Sequence, residues 1–81
     1  MTDIRADRAL LRRVTADVRR HVPGIRTGEA WVNRVGPWHW DFYSDGAGAF
    51  HCLVAAPSAY KAKAKGWAAY LAKLGGDDTN N

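Results

Sequence analysis

Residues 38–54, WHWDFYSDGAGAFHCLV, decide the fold, because two alternating aromatic runs flank a turn and hold most of the bulk that a chain of 81 residues can bury. One parity carries Trp38, Trp40, Phe42, Phe50, Cys52 and Val54, and the other carries His39, Asp41, Tyr43, Ala49, His51 and Leu53. Side chains alternate across a strand, so the pattern predicts a hairpin with one apolar face and one mixed polar face. The turn Ser44-Asp45-Gly46-Ala47-Gly48 has the Asp-Gly pair and extra glycine of a longer hairpin loop. If it pairs Tyr43 with Ala49, Asp41 falls opposite His51.

Upstream, Trp31 to Val35 reads as a short strand that Gly36-Pro37 separates from the hairpin. A two-residue turn there pairs Val35 with Trp38, Asn33 with Trp40 and Trp31 with Phe42, which sends Trp31 and Val35 to the apolar face. Asn33 then faces the core and needs a hydrogen-bond partner. If Gly36-Pro37 is a bulge instead, residues 31–43 form one long bent strand.

Helical periodicity brackets this region. From Asp3 to Val22, Ile4, Leu11, Val14, Val18 and Val22 share a stripe with Leu10 at its edge, Thr2 or Asp3 can cap it, and Pro23-Gly24 ends it. Pro57-Ser58 opens a last helix with Ser58 as cap, and Gly75-Gly76 closes it. Tyr60, Ala64, Trp67, Leu71 and Leu74 form its apolar stripe. Ala62, Gly66 and Ala69 make a second strip without bulk, either a seat for another element or a homodimer contact. The order is therefore α-β-β-β-α: an α+β fold, a three-stranded antiparallel sheet with two helices packed on one face and the other face open. One domain is expected over residues 1–76, with 77–81 a disordered acidic and polar tail.

Composition narrows the function classes. Cys52 is the only cysteine, so no disulfide framework or cysteine zinc cluster is available, and its place on the apolar parity predicts a small buried thiol. No apolar run approaches the roughly 18 residues of a membrane span, and a cytoplasmic protein is expected. Twelve Lys and Arg oppose eight acids, two of them in the tail, and such an excess suits phosphates or an acidic protein surface.

The charges are also sorted. Arg5, Arg12 and Arg19 stand in line at spacing seven with Arg8 beside them, while Asp3, Asp7 and Asp17 take the opposite flank. On the last helix Lys61 and Lys65 lie opposite the apolar stripe, with Lys63 and Lys73 on its flanks. On the open sheet face His39, Asp41 and His51, with Arg34 nearby, could hold a metal or act as an acid-base pair, although their spacing matches no ligand signature. His21 suits the C-terminus of its helix. Gly46-Ala47-Gly48 lies between strands with no helix to receive a phosphate, and no nucleophile motif is present. A non-enzymatic protein without a cofactor is expected. All four tryptophans fit core packing better than base stacking.

Two strings resemble parts of the double-stranded-RNA-binding domain. Gly36-Pro37-Trp38-His39 is similar to that family's Gly-Pro-x-His turn, and Lys61-Ala62-Lys63-Ala64-Lys65-Gly66-Trp67-Ala68-Ala69 to its Lys-Lys-x-Ala-Lys-x-x-Ala-Ala helix. Ala62 stands where the family has a second lysine, and AAPSAY where it has a glycine-rich basic turn. The resemblance spans roughly residues 31–74. It implies that Lys61 and Lys65 straddle a major groove on the phosphates, that His39 lies near a minor groove and that the first helix touches the next.

The leading expectation is thus a small binder of duplex RNA or DNA that uses Arg5, Arg8, Arg12, Arg19, Lys61, Lys63, Lys65 and His39. The alternative is a phage or mobile-element inhibitor or adaptor, anti-CRISPR-like, whose basic face meets an acidic host protein. A metal or acid-base site at His39, Asp41 and His51 comes third.

Overall fold

The computed structural model describes residues 4–46 and 48–76. The order is α1 (Ile4–His21), β1 (Ala30–Arg34), β2 (His39–Ser44), β3 (Phe50–Ala55) and α2 (Ala59–Gly76), with the antiparallel sheet ordered β1-β2-β3. The α+β architecture expected from periodicity is the one observed. The residues named for the tail, 77–81, lie outside the described residues, as do Thr2 and Asp3, the expected caps of α1.

Helix α1 ends where Pro23 and Gly24 interrupt it. Gly24 takes a left-handed φ of 88°, a conformation glycine reaches without steric cost, and this lets the Ile25 amide turn back to the Val22 carbonyl at 3.1 Å. The first residue after that turn, Ile25, is buried in the core with Val18, Ala30, Phe42 and Trp67. Helix α2 crosses all three strands, and α1 packs along α2.

Four rings form a closed circuit beneath the helices. Phe42 meets Trp67 at 5.4 Å and Phe50 at 6.2 Å, Phe50 meets Tyr70 at 5.4 Å, and Tyr70 returns to Trp67 at 5.5 Å, each pair edge-to-face. Such pairs contribute about 0.5–1.5 kcal/mol each beyond area burial. Tyr70 falls outside the apolar stripe expected for α2, whose ends Tyr60 and Leu74 are instead exposed. A Cβ at Gly66 would run into the Phe42 ring, so this mid-helix glycine is what lets α2 settle on β2. Ala62 and Gly66 are both buried within the chain. Gly66 is therefore a seat for β2, and the homodimer contact expected of the strip has no surface left at Ala62 and Gly66.

The β1–β2 register differs from the two-residue-turn expectation by one residue. Trp31 pairs with Tyr43, Val32 with Phe42, Asn33 with Asp41 and Arg34 with Trp40. A type I′ turn requires positive φ at both central residues, which proline cannot supply. Pro37 instead occupies the second position of a turn from Gly36 to His39, with the Val35 amide donating to the His39 carbonyl at 2.9 Å. That makes a three-residue loop, and a one-residue slip sends every β1 side chain to the other face. Val32 replaces Trp31 on the core side, and Asn33 meets solvent, which removes its need for a buried partner. Trp31 and Trp38 are 54% and 59% exposed, so core packing holds for Trp67 and partly for Trp40, not for all four tryptophans.

The second hairpin is shifted by two, which preserves faces and changes partners. Ser44 pairs with Phe50, Tyr43 with His51 and Asp41 with Leu53. The loop after Ser44 is drawn toward Arg26, where a Cβ on Gly46 would stand 2.5 Å from the Arg26 carbonyl oxygen.

Candidate nucleic-acid interface

Three segments meet at one end of the molecule, and a buried carboxylate ties two of them. Asp7, in the first turn of α1, accepts a 2.7 Å hydrogen bond from the Ser58 hydroxyl, and Ser58 accepts from the Lys61 amide at 3.2 Å as the N-cap of α2. The first turns of the two helices are thereby held side by side. The Arg8 guanidinium rests 5.7 Å from the centre of the Tyr60 ring, next to Lys61 in the chain. Arg5, Arg8 and Arg12 together line a concavity of about 270 Å³.

The third segment is the β1–β2 loop. The Ala56 amide donates to the Trp38 carbonyl at 2.9 Å, the Trp40 indole N–H donates to the Ala56 carbonyl at 2.9 Å, and His39 lies opposite Ala55. Lys65 reaches the same place, its Nζ donating to the Ala55 carbonyl at 2.6 Å. The exposed Trp38 therefore stands beside the start of α2 with Lys61 and Lys65, one helical turn apart, while the neighbouring His39 falls on the open face at the same end of the sheet. Lys63 is half-buried and falls on a different side of α2.

Arg19 does not join this group. It lies fourteen residues beyond Arg5, about 21 Å along the axis at 1.5 Å per residue, and its Nη1 donates to Thr27 Oγ1 at 3.0 Å. Spacing seven aligned it in rotation, but axial distance assigns it to the opposite end. The flank expected to hold acids is also divided: Asp7 is buried under Ser58, while Asp17 pairs with Arg20 at the surface.

On the open sheet face the Asp41–His51 contact forms diagonally, with Nε2 to Oδ1 at 3.3 Å, although the two residues are not directly paired. His39 belongs to the row beyond Asp41, and among the described residues no three His, Cys, Asp or Glu side chains are placed to share a metal ion. Arg34, expected near His51, is turned by the register shift toward the other face and stacks 5.2 Å from the Trp40 ring centre. His21 sits as expected, its Nδ1 donating to the Asp17 carbonyl at 2.9 Å. Cys52 is half-buried against the core, and loss of hydration pushes its thiol above the ordinary range, which disfavours the nucleophilic thiolate.

The residues missed by periodicity are Asp7 as a tie between helices and Trp31, Trp38 and Tyr70. For the two tryptophans a signal existed: the misfit of Asn33 in the two-residue turn argued for the other register. Comparison with protein-family models, with curated proteins and with solved structures returns no match to this chain.

Proposed function

We propose that the protein binds nucleic-acid duplexes without catalysis, its basic end laid across the sugar-phosphate backbone. The convergence of the two helix N-termini and the β1–β2 loop, fixed by the Asp7–Ser58 bond, carries this reading. Arg5, Arg8 and Arg12 present guanidinium groups from α1, and Lys61 and Lys65 present ammonium groups from α2. The dipole of α2 adds partial positive charge at its N-terminus, at the same end. His39 and Trp38 supply a donor and an apolar ring where the loop would enter a groove. This three-part arrangement is what the likeness to the double-stranded-RNA-binding domain implies, and it makes duplex RNA the first ligand to try.

Phosphate contacts release counterions, so affinity must fall with salt. Four or five contacts give a log-log slope of about −3.6 to −4.5 on a B-form duplex at −0.9 per contact. Binding of a fluorescent duplex, RNA and DNA in parallel, measured over a salt series, tests the reading. The double variant Lys61→Ala, Lys65→Ala flattens the slope by about 2. A slope near zero, or no binding at low salt, ends it.

A second reading rests on Trp38. A tryptophan this exposed at an end that also carries Arg5, Arg8 and Arg12 has the composition of a protein hot spot, so the same end could instead dock on an acidic surface of a host protein complex, as an anti-CRISPR-like inhibitor would. A partner retained from lysate after nuclease digestion favours this reading over the first. Either reading places the protein in the cytoplasm.

A further inference from the structure

The open face of the sheet is a large surface that the arginines and lysines of the basic end leave unused. Its rows run across the strands: Trp31, Tyr43 and His51, then Asn33, Asp41 and Leu53. The Trp31 and Tyr43 rings lie 5.8 Å apart with planes 30° from one another, and Leu53 is 65% exposed. Trp31, Asn33, Asp41, Tyr43 and His51 line a shallow groove of about 470 Å³, within the size range of ligand sites.

This face lacks the lysines and arginines that dominate the helices. None of the twelve Lys and Arg residues lies among its strand positions, and Arg34, the only basic residue in a strand other than histidine, faces the other way. Asp41 is the fixed charge. One of its oxygens meets His51, and among the described residues the other has no hydrogen-bond donor. Aromatic faces carry negative quadrupole density, so rings and carboxylate together favour a cation. A phosphate backbone would find no Lys or Arg here.

We propose that the open face docks an arginine-bearing segment of a partner protein, the guanidinium stacked on Trp31 and Tyr43 and donating to Asp41. Arginine fits better than lysine because its planar group covers a ring while its N–H fork meets a carboxylate, whereas an ammonium is a compact, strongly hydrated point charge. Asn33, in the row of Asp41, offers an amide oxygen to the remaining guanidinium N–H groups. The site stands apart from the nucleic-acid reading and survives its failure.

The test uses the full chain and the end-blocked peptide Gly-Gly-Arg-Gly-Gly, followed by amide and indole NMR shifts. Expected are shifts confined to Trp31, Asn33, Asp41, Tyr43 and His51. Trp31→Ala and Asp41→Asn should each weaken binding by roughly tenfold with the rest of the spectrum unchanged. Replacing arginine by its neutral isostere citrulline should abolish the shifts in the wild-type protein, a comparison that needs no variant to fold. The proposal is overturned if the arginine peptide leaves this face unmoved, if citrulline or glutamate peptides or an oligouridine bind there equally well, or if Trp31→Ala leaves the affinity unchanged. Sedimentation showing a dimer that Trp31→Ala returns to monomer also overturns it, since the occupant would then be a second copy.

Discussion

The inner face of the sheet carries Trp40, Phe42 and Phe50 and the outer face Trp31 and Tyr43, yet the two sets are covered very differently. Beneath the helices Phe42 is fully buried and closes a ring circuit with Phe50, Tyr70 and Trp67, against a glycine that admits it. On the outer face Trp31 and Tyr43 touch each other and then solvent. Hydrophobicity alone does not separate these sets. Alternation along β2 already sets Tyr43 outward, and for Trp31 the number of residues in the loop at Pro37 decides, because an even or odd count determines which β1 side chains face α2. A fully buried aromatic and an exposed one can therefore stand one position apart, as Phe42 and Tyr43 do.

Truncating the inner face gives the largest expected effect. Phe42→Ala removes a fully buried ring together with two edge-to-face partners and leaves a cavity under Gly66, so unfolding in urea should show a loss of about 3–5 kcal/mol. In a domain this small, that loss is a large part of the whole stability. A loss below about 1 kcal/mol would mean that Phe42 is not the keystone of the inner face.

Filling the same site should cost less, in a direction that helix propensity alone would get wrong. Alanine in mid-helix is worth about 1 kcal/mol more than glycine. At position 66, however, its methyl group would collide with the Phe42 ring, a rigid group already held by Trp67 and Phe50. Overpacking of a tight core costs about 1–3 kcal/mol, and the severity of this overlap puts the net effect on the destabilising side. A Gly66→Ala protein that melts higher than wild type would show that α2 is free to lift away from the sheet.

The elements themselves were legible because each rests on local periodicity: a stripe at 3.6 for α1, alternation at 2 for the hairpin, and Gly or Pro at each boundary. The register was not legible to the same degree, because it depends on a single loop residue. Alternation in Trp31 to Val35 reads equally well in both phases. The only local hint was polar: Asn33 had no reason to be inside. Of the candidate site, Arg5, Arg8 and Arg12 were legible from helical spacing, since neighbours within two turns remain neighbours in space. Arg19 has the same rotation about the axis but lies at the far end, which angular reading does not weigh. Asp7 illustrates a limit of another kind, since its partner Ser58 is 51 positions away in the chain and nothing local to α1 announces it.

The smallest expected effect tests the outer face. Trp31 is half in solvent, on an edge strand, and its one ring contact is with Tyr43. Replacing it by alanine leaves no enclosed cavity, because the groove is already open to water, so the cavity penalty that makes Phe42 costly does not apply. What is lost is partial burial and one cross-strand aromatic pair, worth about 0.2–1 kcal/mol. Urea unfolding of Trp31→Ala should therefore fall within about 1 kcal/mol of wild type. A loss as large as that of Phe42→Ala would mean that Trp31 belongs to the scaffold and that the outer face is a second core. A near-neutral result means the opposite: the ring stands in water where stability has little use for it, which leaves it available to the arginine docking proposed for this face.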